Sequence, residues 1–529
     1  MHHSTAPFRI AEIRNFIPEK AKPWLLFCFF IIYQFSGGIY MAAVAEMSGS
    51  LALMHEDILM AGYASLVGLG LTFTIMLRLK FTFTTKASLA ISASGLILCN
   101  LFAIHASSVP VLVVVSFVAG IFRMWGTFAT NSTIQLWVTP KRDMAVWFVY
   151  IQVCVQSFIY LAGLTTIYIS FLTKWEYMHW FIIGALLCLL LATLVCFNNN
   201  RTAPKLPLYG IDWMGALLWA TTVISAIFVL NYGSHYDWYS SGYVWQGTVI
   251  GLAALVLNIW RASFIRHPYI SNQTWLQPPV WITFLLFIIV EIAISPSLLF
   301  ERMFTESILG YDTLTLISLN WLIVGGIMLG AFFAYRTFAL QKWTFKTFGI
   351  IGFSLIEGYL LLMYFGIDYD IPKEGLYLPL LFRSAGYIIL AITFITALTR
   401  VPFPYFWQSL TIQSFISASC GSLLGEAFIK EVFSHTMKKN FLAFSSAIDS
   451  VNPLIPKEKL ASIFLITQQH AMMVSIKEIY GWISMFGIAC ILIFLANESS
   501  IRPLALQPKF SKLRRTLKHE LKMDRINNR

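Results

Sequence analysis

The stretch VWITFLLFIIVEIAISPSLLF, Val280–Phe300, decides how the rest of the chain is read. It is 21 residues long and a single ionisable side chain, Glu291, interrupts it. A bilayer core of about 30 Å needs about 20 apolar residues in a helix, so the run is sized to cross a membrane. A surface helix of a soluble protein would instead confine its apolar residues to one stripe. Glu291 in the middle of such a span costs about 3 kcal/mol unless it faces a cavity or a partner. Pro296, five residues on, removes one hydrogen bond from the helical ladder beside it.

Hydropathy in windows of about 19 residues finds the same pattern along the whole chain. The first six spans are Trp24–Ala45, Ile58–Leu77, Ala87–Ala103, Val111–Val138, Met144–Leu172 and Trp180–Phe197. Two follow a polar linker, Trp213–Tyr232 and Tyr243–Trp260. The last six are Val280–Phe300, Leu314–Tyr335, Thr347–Phe365, Leu378–Thr399, Trp407–Val432 and Tyr480–Leu495. The reading is an all-α polytopic membrane protein with fourteen transmembrane helices spaced six, two, six.

Composition agrees. Of 529 residues 58% are hydrophobic and 12% charged, with a mean hydropathy of +0.71, whereas soluble domains carry about 25% charge. A soluble multidomain enzyme is excluded, and 44 Phe, 22 Tyr and 17 Trp exclude a disordered chain. The net charge of +12 would suggest nucleic acid as the partner of a soluble protein. Here membrane topology accounts for it and no nucleic acid is expected. With the N-terminus placed inside, 26 Lys and Arg fall on that side and 7 on the other. This places both termini in the cytoplasm of a plasma-membrane protein, in the inner membrane if the host has two. The first run is longer than a signal-peptide core and lacks a small-residue cleavage site, so it is expected to stay as the first membrane helix.

The domain reading is a cytoplasmic segment 1–22, a six-helix bundle 23–198, a linker and helix pair 199–278, a second six-helix bundle 279–498, and a basic cytoplasmic tail 499–529. Within the second bundle, 433–478 is the one sizeable extracytoplasmic loop. It reads as a small hairpin above the membrane, two short amphipathic helices around the turn Asn452–Lys459, NPLIPKEK.

The motifs of several chemistries are missing. The sequence holds no GxxxxGK[ST] phosphate loop, no HExxH and no clustered histidines, and its seven cysteines lie in apolar stretches without a CxxC. No catalytic residue, metal or cofactor is expected, and the chain does not read as an enzyme. The informative residues are charges inside apolar spans: Arg123, Glu291, Glu357 and Arg383. Two acids and two bases in different spans can pair across a bundle or line a proton or substrate path. Arg383 is near a span end, where its long side chain can snorkel to the interface. Glu426 and Lys430 have the spacing and order of a helical ion pair. SASCGSLLGEA, Ser417–Ala427, is a run of small residues that lets helices approach closely.

Four segments carry a resemblance. YGIDWMGALLWA from Tyr209 resembles the Asp-Trp-x-Gly linker of the fourteen-helix drug/proton antiporter branch of the major facilitator superfamily. GYDTLTLISLNWLIVGGIMLGAF from Gly310 resembles its Gly-Tyr-Ser loop and helix. LFRSAGYIILA from Leu381 resembles its Arg-Gly-x-Gly segment, and TIQSFISASCGSLLGEA from Thr411 its Gln-x-Gly-Gly-Ser-x-Gly helix. The chain departs from the pattern at Ser36, where the branch has an acid, and at Phe122, where its Arg stands one residue before Arg123. IMLRLKFTFTTK, Ile75–Lys86, keeps the positive charge of the loop after the second helix without its Asp and Gly. QSFIYLAGLTTIYIS, from Gln156, lacks the Gly-Pro pair of the fifth helix.

The resemblance implies the major facilitator fold, two pseudo-symmetric six-helix bundles with an inserted central helix pair, and alternating access to a site near the midplane. It implies a secondary transporter exporting amphiphilic or hydrophobic organic compounds on the proton gradient. Glu291 and Glu357 would take up protons, with a carboxylate pairing Arg123 or a cationic substrate in alternate states. It also implies a small-molecule substrate, a lipid bilayer around the chain and, in a two-membrane host, a periplasmic adaptor and outer-membrane channel meeting loop 433–478. A non-transporting membrane scaffold and an uptake or lipid carrier of the same fold stay open beside this reading.

Overall fold

Helix-stop signals are sparse in this sequence, and helices run from cap to cap between short polar connections. The computed structural model describes residues 10–37, 44–106, 108–200, 205–369, 371–446 and 460–496. Among these, regular structure is helical throughout, apart from one isolated bridge between Ile13 and Phe197. The first bundle comprises α1 (Lys22–Phe35), α2 (His55–Thr82), α3 (Thr85–Ile104), α4 (Val109–Val138), α5 (Met144–Leu172) and α6 (Glu176–Cys196). The inserted pair is α7 (Trp213–Tyr232) and α8 (Gly242–Ala262). The second bundle comprises α9 (Pro278–Met303), α10 (Leu314–Leu340), α11 (Phe345–Gly366), α12 (Tyr377–Ala397), α13 (Phe403–Ser445) and α14 (Leu460–Ala496). Thirteen of these are long and apolar enough to cross a membrane, and α1 is a shorter apolar helix of 14 residues. The protein is a multi-pass membrane protein.

Helix starts follow local chemistry. Thr84 accepts from the Ala87 amide at 3.2 Å, Asp143 from Ala145 at 3.0 Å and Asp212 from Gly215 at 2.9 Å, each satisfying a donor that the first turn leaves free. Proline stands in the first turn of α1, α4, α9 and α13, where its missing amide costs nothing.

Glycines set the closest helix contacts. A Cβ on Gly68 of α2 would lie 2.1 Å from the Phe117 carbonyl of α4, and one on Gly120 1.9 Å from the Ser65 carbonyl. In the second bundle Gly326 and Gly330 seat α10 on α12 in the same way. Without a hydrophobic drive between helices in lipid, such close packing is what holds them together.

The bundles meet along two seams. α13 lies along α2, where the Thr74 and Thr411 hydroxyls share a hydrogen bond of 2.8 Å. α5 lies along α10 and α12. The inserted α7 and α8 pack on each other, and α7 is tied to the start of α2 by Asn231 on the Glu56 carbonyl at 2.7 Å and Tyr232 on Asp57 at 2.5 Å.

Two boundaries differ from the sequence reading. The first span, expected over Trp24–Ala45, is seen as α1 and a short helix Val44–Leu51, with 38–43 outside the described residues. The helices expected on either side of the turn in 433–478 are not separate from the spans: α13 runs on to Ser445, and α14 begins at Leu460 instead of Tyr480. No proline or glycine interrupts 433–445 or 460–480, so nothing stops either helix at the membrane surface. The 37 residues of α14 span about 55 Å, well beyond the bilayer core. Lys439 reaches Glu478 at 3.4 Å and Asn440 donates to Ser475 at 2.9 Å, clamping the two extended arms together. The turn between them, 447–459, lies outside the described residues.

Candidate functional site

Glu291 lies in the middle of α9 and is 6% exposed. It faces the small-residue run of α13: a Cβ on Gly421 would come 2.9 Å from its Cγ, and one on Gly425 2.9 Å from its carbonyl. Just before Gly421, residues Ile416–Cys420 adopt a π-helical turn, a local irregularity common at functional sites. Pro296 leaves the Ile292 carbonyl without its usual amide donor, and the Ser295 hydroxyl donates to that carbonyl at 2.7 Å. Tyr387 of α12 donates to Glu291 Oε1 at 3.4 Å. Tyr63 of α2 and Tyr160 of α5 are in electrostatic contact with the same carboxylate. The buried acid therefore has one direct phenol partner, from its own bundle, and two more distant phenols on the other bundle.

Arg383 does not snorkel. It turns inward, 7% exposed, and donates to Glu301 at 2.5 Å, with Tyr359 of α11 donating to the same Oε1 at 2.9 Å. The Tyr359 and Tyr480 hydroxyls are 3.0 Å apart, and the guanidinium lies over the Tyr359 ring at 5.7 Å. Four helices, α9, α11, α12 and α14, thus meet on one ion pair inside the second bundle.

Glu357 belongs to neither group. It lies on the contact of α11 with α14, where its Oε1 accepts from Ser484 and its Oε2 lies beside Gly487 without a hydrogen-bond partner. Arg123 is on α4 in the other bundle, 4% exposed, and donates to the Gln34 carbonyl and to Gln34 Oε1, both at 3.2 Å. The expected pairing of Arg123 with Glu291 is therefore not what this conformation holds: the acid binds Tyr387 and the base binds Gln34. Glu426 and Lys430 lie one turn apart on α13 and attract each other at a distance, without the direct ion pair their spacing allows.

The sequence reading missed Glu301, Gln34, Tyr359, Tyr387 and Tyr480. Glu301 falls one residue beyond the apolar run and so looks interfacial. Tyrosines do not lower a hydropathy average enough to be noticed; the two that bond these acids, Tyr359 and Tyr387, become visible only when helix faces are paired.

No family profile matches the sequence, and no curated protein matches it. Among solved structures the chain is similar to a proton-dependent oligopeptide transporter, with a TM-score of 0.59, 11% identity, and coverage of 90% of this chain and 98% of that one. It is similar to a peptide transporter solved with sulfate, with a TM-score of 0.52, 12% identity, and coverage of 90% and 95%. It is also similar to a D-xylose–proton symporter, with a TM-score of 0.51, 11% identity, and coverage of 91% and 98%. The chain has the major facilitator fold.

Proposed function

We propose that the protein is a secondary active transporter that exports amphiphilic or hydrophobic organic compounds in exchange for protons, with both termini in the cytoplasm. The observation that carries this reading is Glu291: a buried carboxylate on a proline-bearing helix that holds the Tyr387 hydroxyl of α12 and is within electrostatic reach of Tyr63 of α2 and Tyr160 of α5. In the charged form the acid holds the Tyr387 hydroxyl and attracts the phenols of Tyr63 and Tyr160 on the first bundle at longer range, which favours the halves staying together. Protonation removes that charge, weakens the attraction across the seam and favours the conformation in which the bundles part. A difference of about 1 to 3 kcal/mol between the two conformations suffices for useful coupling. Membership of the drug/proton antiporter branch is part of this proposal and rests on the four motif segments, with Glu291 in the second bundle carrying the proton that the branch assigns to the position of Ser36.

The test is accumulation of labelled amphiphiles of both charge signs in cells expressing wild type or Glu291→Gln, with and without an uncoupler. Wild type is expected to lower accumulation of at least one compound, and the uncoupler and Glu291→Gln are each expected to abolish that effect. Accumulation unaffected by wild-type protein across the panel, with the protein shown to be in the membrane, would overturn the proposal.

A further inference from the structure

Two buried arginines in this molecule are treated differently. Arg383 has Glu301 at 2.5 Å. Arg123 is more deeply buried, and among the described residues it has no carboxylate within ion-pair distance. Its terminal Nη2 is spent on Gln34, and its Nε is buried without any hydrogen-bond partner. Gln34 adds no charge, and its amide is already committed: Oε1 accepts from Arg123 while Nε2 donates to Thr127 at 3.1 Å. Nη1 points at the backbone just past α1, where a Cβ on Gly37 would lie 1.8 Å from it. A guanidinium keeps its proton in a protein, so the charge is not relieved by deprotonation. A buried charge left uncompensated is costly, and the fold tolerates it where another species supplies the counter-charge for part of the cycle.

We propose that Arg123, with Gln34 beside it and its guanidinium seated against Gly37, is the site for the anionic group of the transported molecule, and that the molecule is an amphiphilic carboxylate. A guanidinium presents paired donors that match a carboxylate in two-point contact. Aromatic rings stand next to both groups in the chain: Phe35, following Gln34, packs on Phe158 of α5, which also meets Phe30, and Phe122, preceding Arg123, stacks on Trp125 with ring centres 6.4 Å apart. These suit the body of such a molecule. The use of the site in transport rests on the function proposed above; the existence of an anion site does not.

Binding to the full chain in lipid nanodiscs tests it, with radiolabelled 1-naphthaleneacetate as probe and its amide and 1-naphthylmethylammonium as competitors. Saturable binding of the carboxylate is expected, competed by neither analogue. Arg123→Gln is expected to weaken it at least tenfold, and Arg123→Lys, a point charge without the fork, by less. Gly184→Ala, at an exposed position of α6 with nothing within 4 Å, is expected to leave it intact. Gln34→Glu supplies a built-in counter-ion, so it should raise the thermal midpoint and abolish binding, a result that does not depend on Arg123→Gln folding. Absence of saturable carboxylate binding, equal competition by the ammonium, binding unchanged in folded Arg123→Gln, or a lowered midpoint in Gln34→Glu would each overturn the proposal. Arg123-dependent binding in a protein that moves no amphiphile in cells would leave this site standing and remove the transport reading. Uncoupler-sensitive export of the ammonium that ignores Arg123→Gln would do the reverse.

Discussion

At the residue scale the second bundle turns on the pair Arg383 and Glu301, 2.5 Å apart, with Tyr359 completing the acid's shell. Removing one member of a buried pair leaves the other charged and desolvated, which costs about 3 to 5 kcal/mol. Glu301→Met and Arg383→Met are therefore each expected to lower the thermal midpoint sharply, and the double variant to lose less than either single change; thermal denaturation of wild type and the three variants as a cycle checks both. Equal losses that simply add would mean that the pair is not coupled. Only half of this pair was legible in the sequence. Arg383 breaks an apolar run and is noticed, whereas Glu301 follows Phe300 at the edge of its run beside another charge and looks like ordinary interface. The glycines were legible: the run Ser417–Ala427 was read as a close helix contact, and Gly425 lies against the Glu291 carbonyl and the Ser295 Cβ at 2.9 Å from where a Cβ would stand. Gly425→Val is expected to cost about 1 to 3 kcal/mol by forcing α9 and α13 apart. Gly184→Ala, with nothing within 4 Å, serves as the control and should leave the midpoint unchanged.

At the element scale the bundle ends are held by chain segments outside the spans. Residues before α1 strap the end of α6: the Arg14 amide donates to the Cys196 carbonyl and the Asn198 amide to the Glu12 carbonyl, each at 2.8 Å, and Ile13 is fully buried against Phe197. Lys22 donates to the Ile10 carbonyl at 3.3 Å and to Glu19 at 2.7 Å, so the strap also grips the start of its own helix. Burial raises the pKa of Glu12 from its ordinary 4.5, with nearby Lys80 opposing the shift. An acid whose pKa is higher when the strap is seated favours the seated state most strongly below the ordinary value and loses that contribution as pH rises through the seated value. Hydrogen exchange at the Arg14 and Asn198 amides, corrected for intrinsic rates, should therefore quicken as pH rises above about 4.5. Glu12→Gln should flatten the dependence and slow exchange at neutral pH; the same pH dependence in that variant would assign it to another group. This strap was invisible in the sequence, because its order comes from contacts with a segment nearly two hundred residues away. The spans themselves were legible from hydropathy alone, and the errors fall where helix and membrane part company, as in the extended arms of α13 and α14.

At the scale of the whole molecule, the six, two, six spacing announces two bundles and an insertion, but not which helices form the seam, since every span is apolar enough to face either lipid or protein. The structure places α2 against α13 and closes the face that carries the N-terminal strap. Thr74 and Thr411 share a hydrogen bond of 2.8 Å there, a Cβ on Gly70 would lie 2.4 Å from the Ser414 hydroxyl, and Lys342 pairs with Asp143 across the second seam. If transport requires the halves to rock about a central site, this face must open once per cycle, and these contacts must break. Hydroxyls that meet at 2.8 Å put the two Cβ atoms within reach of a disulfide. Thr74→Cys with Thr411→Cys, in a protein whose seven native cysteines are replaced, should therefore cross-link under oxidation, stop export completely, and recover it on reduction. Each single cysteine should transport normally under both conditions. Undiminished export by quantitatively cross-linked protein would show that the bundles do not separate at this face, and alternating access would then have to be carried by some other motion than the parting of α2 from α13.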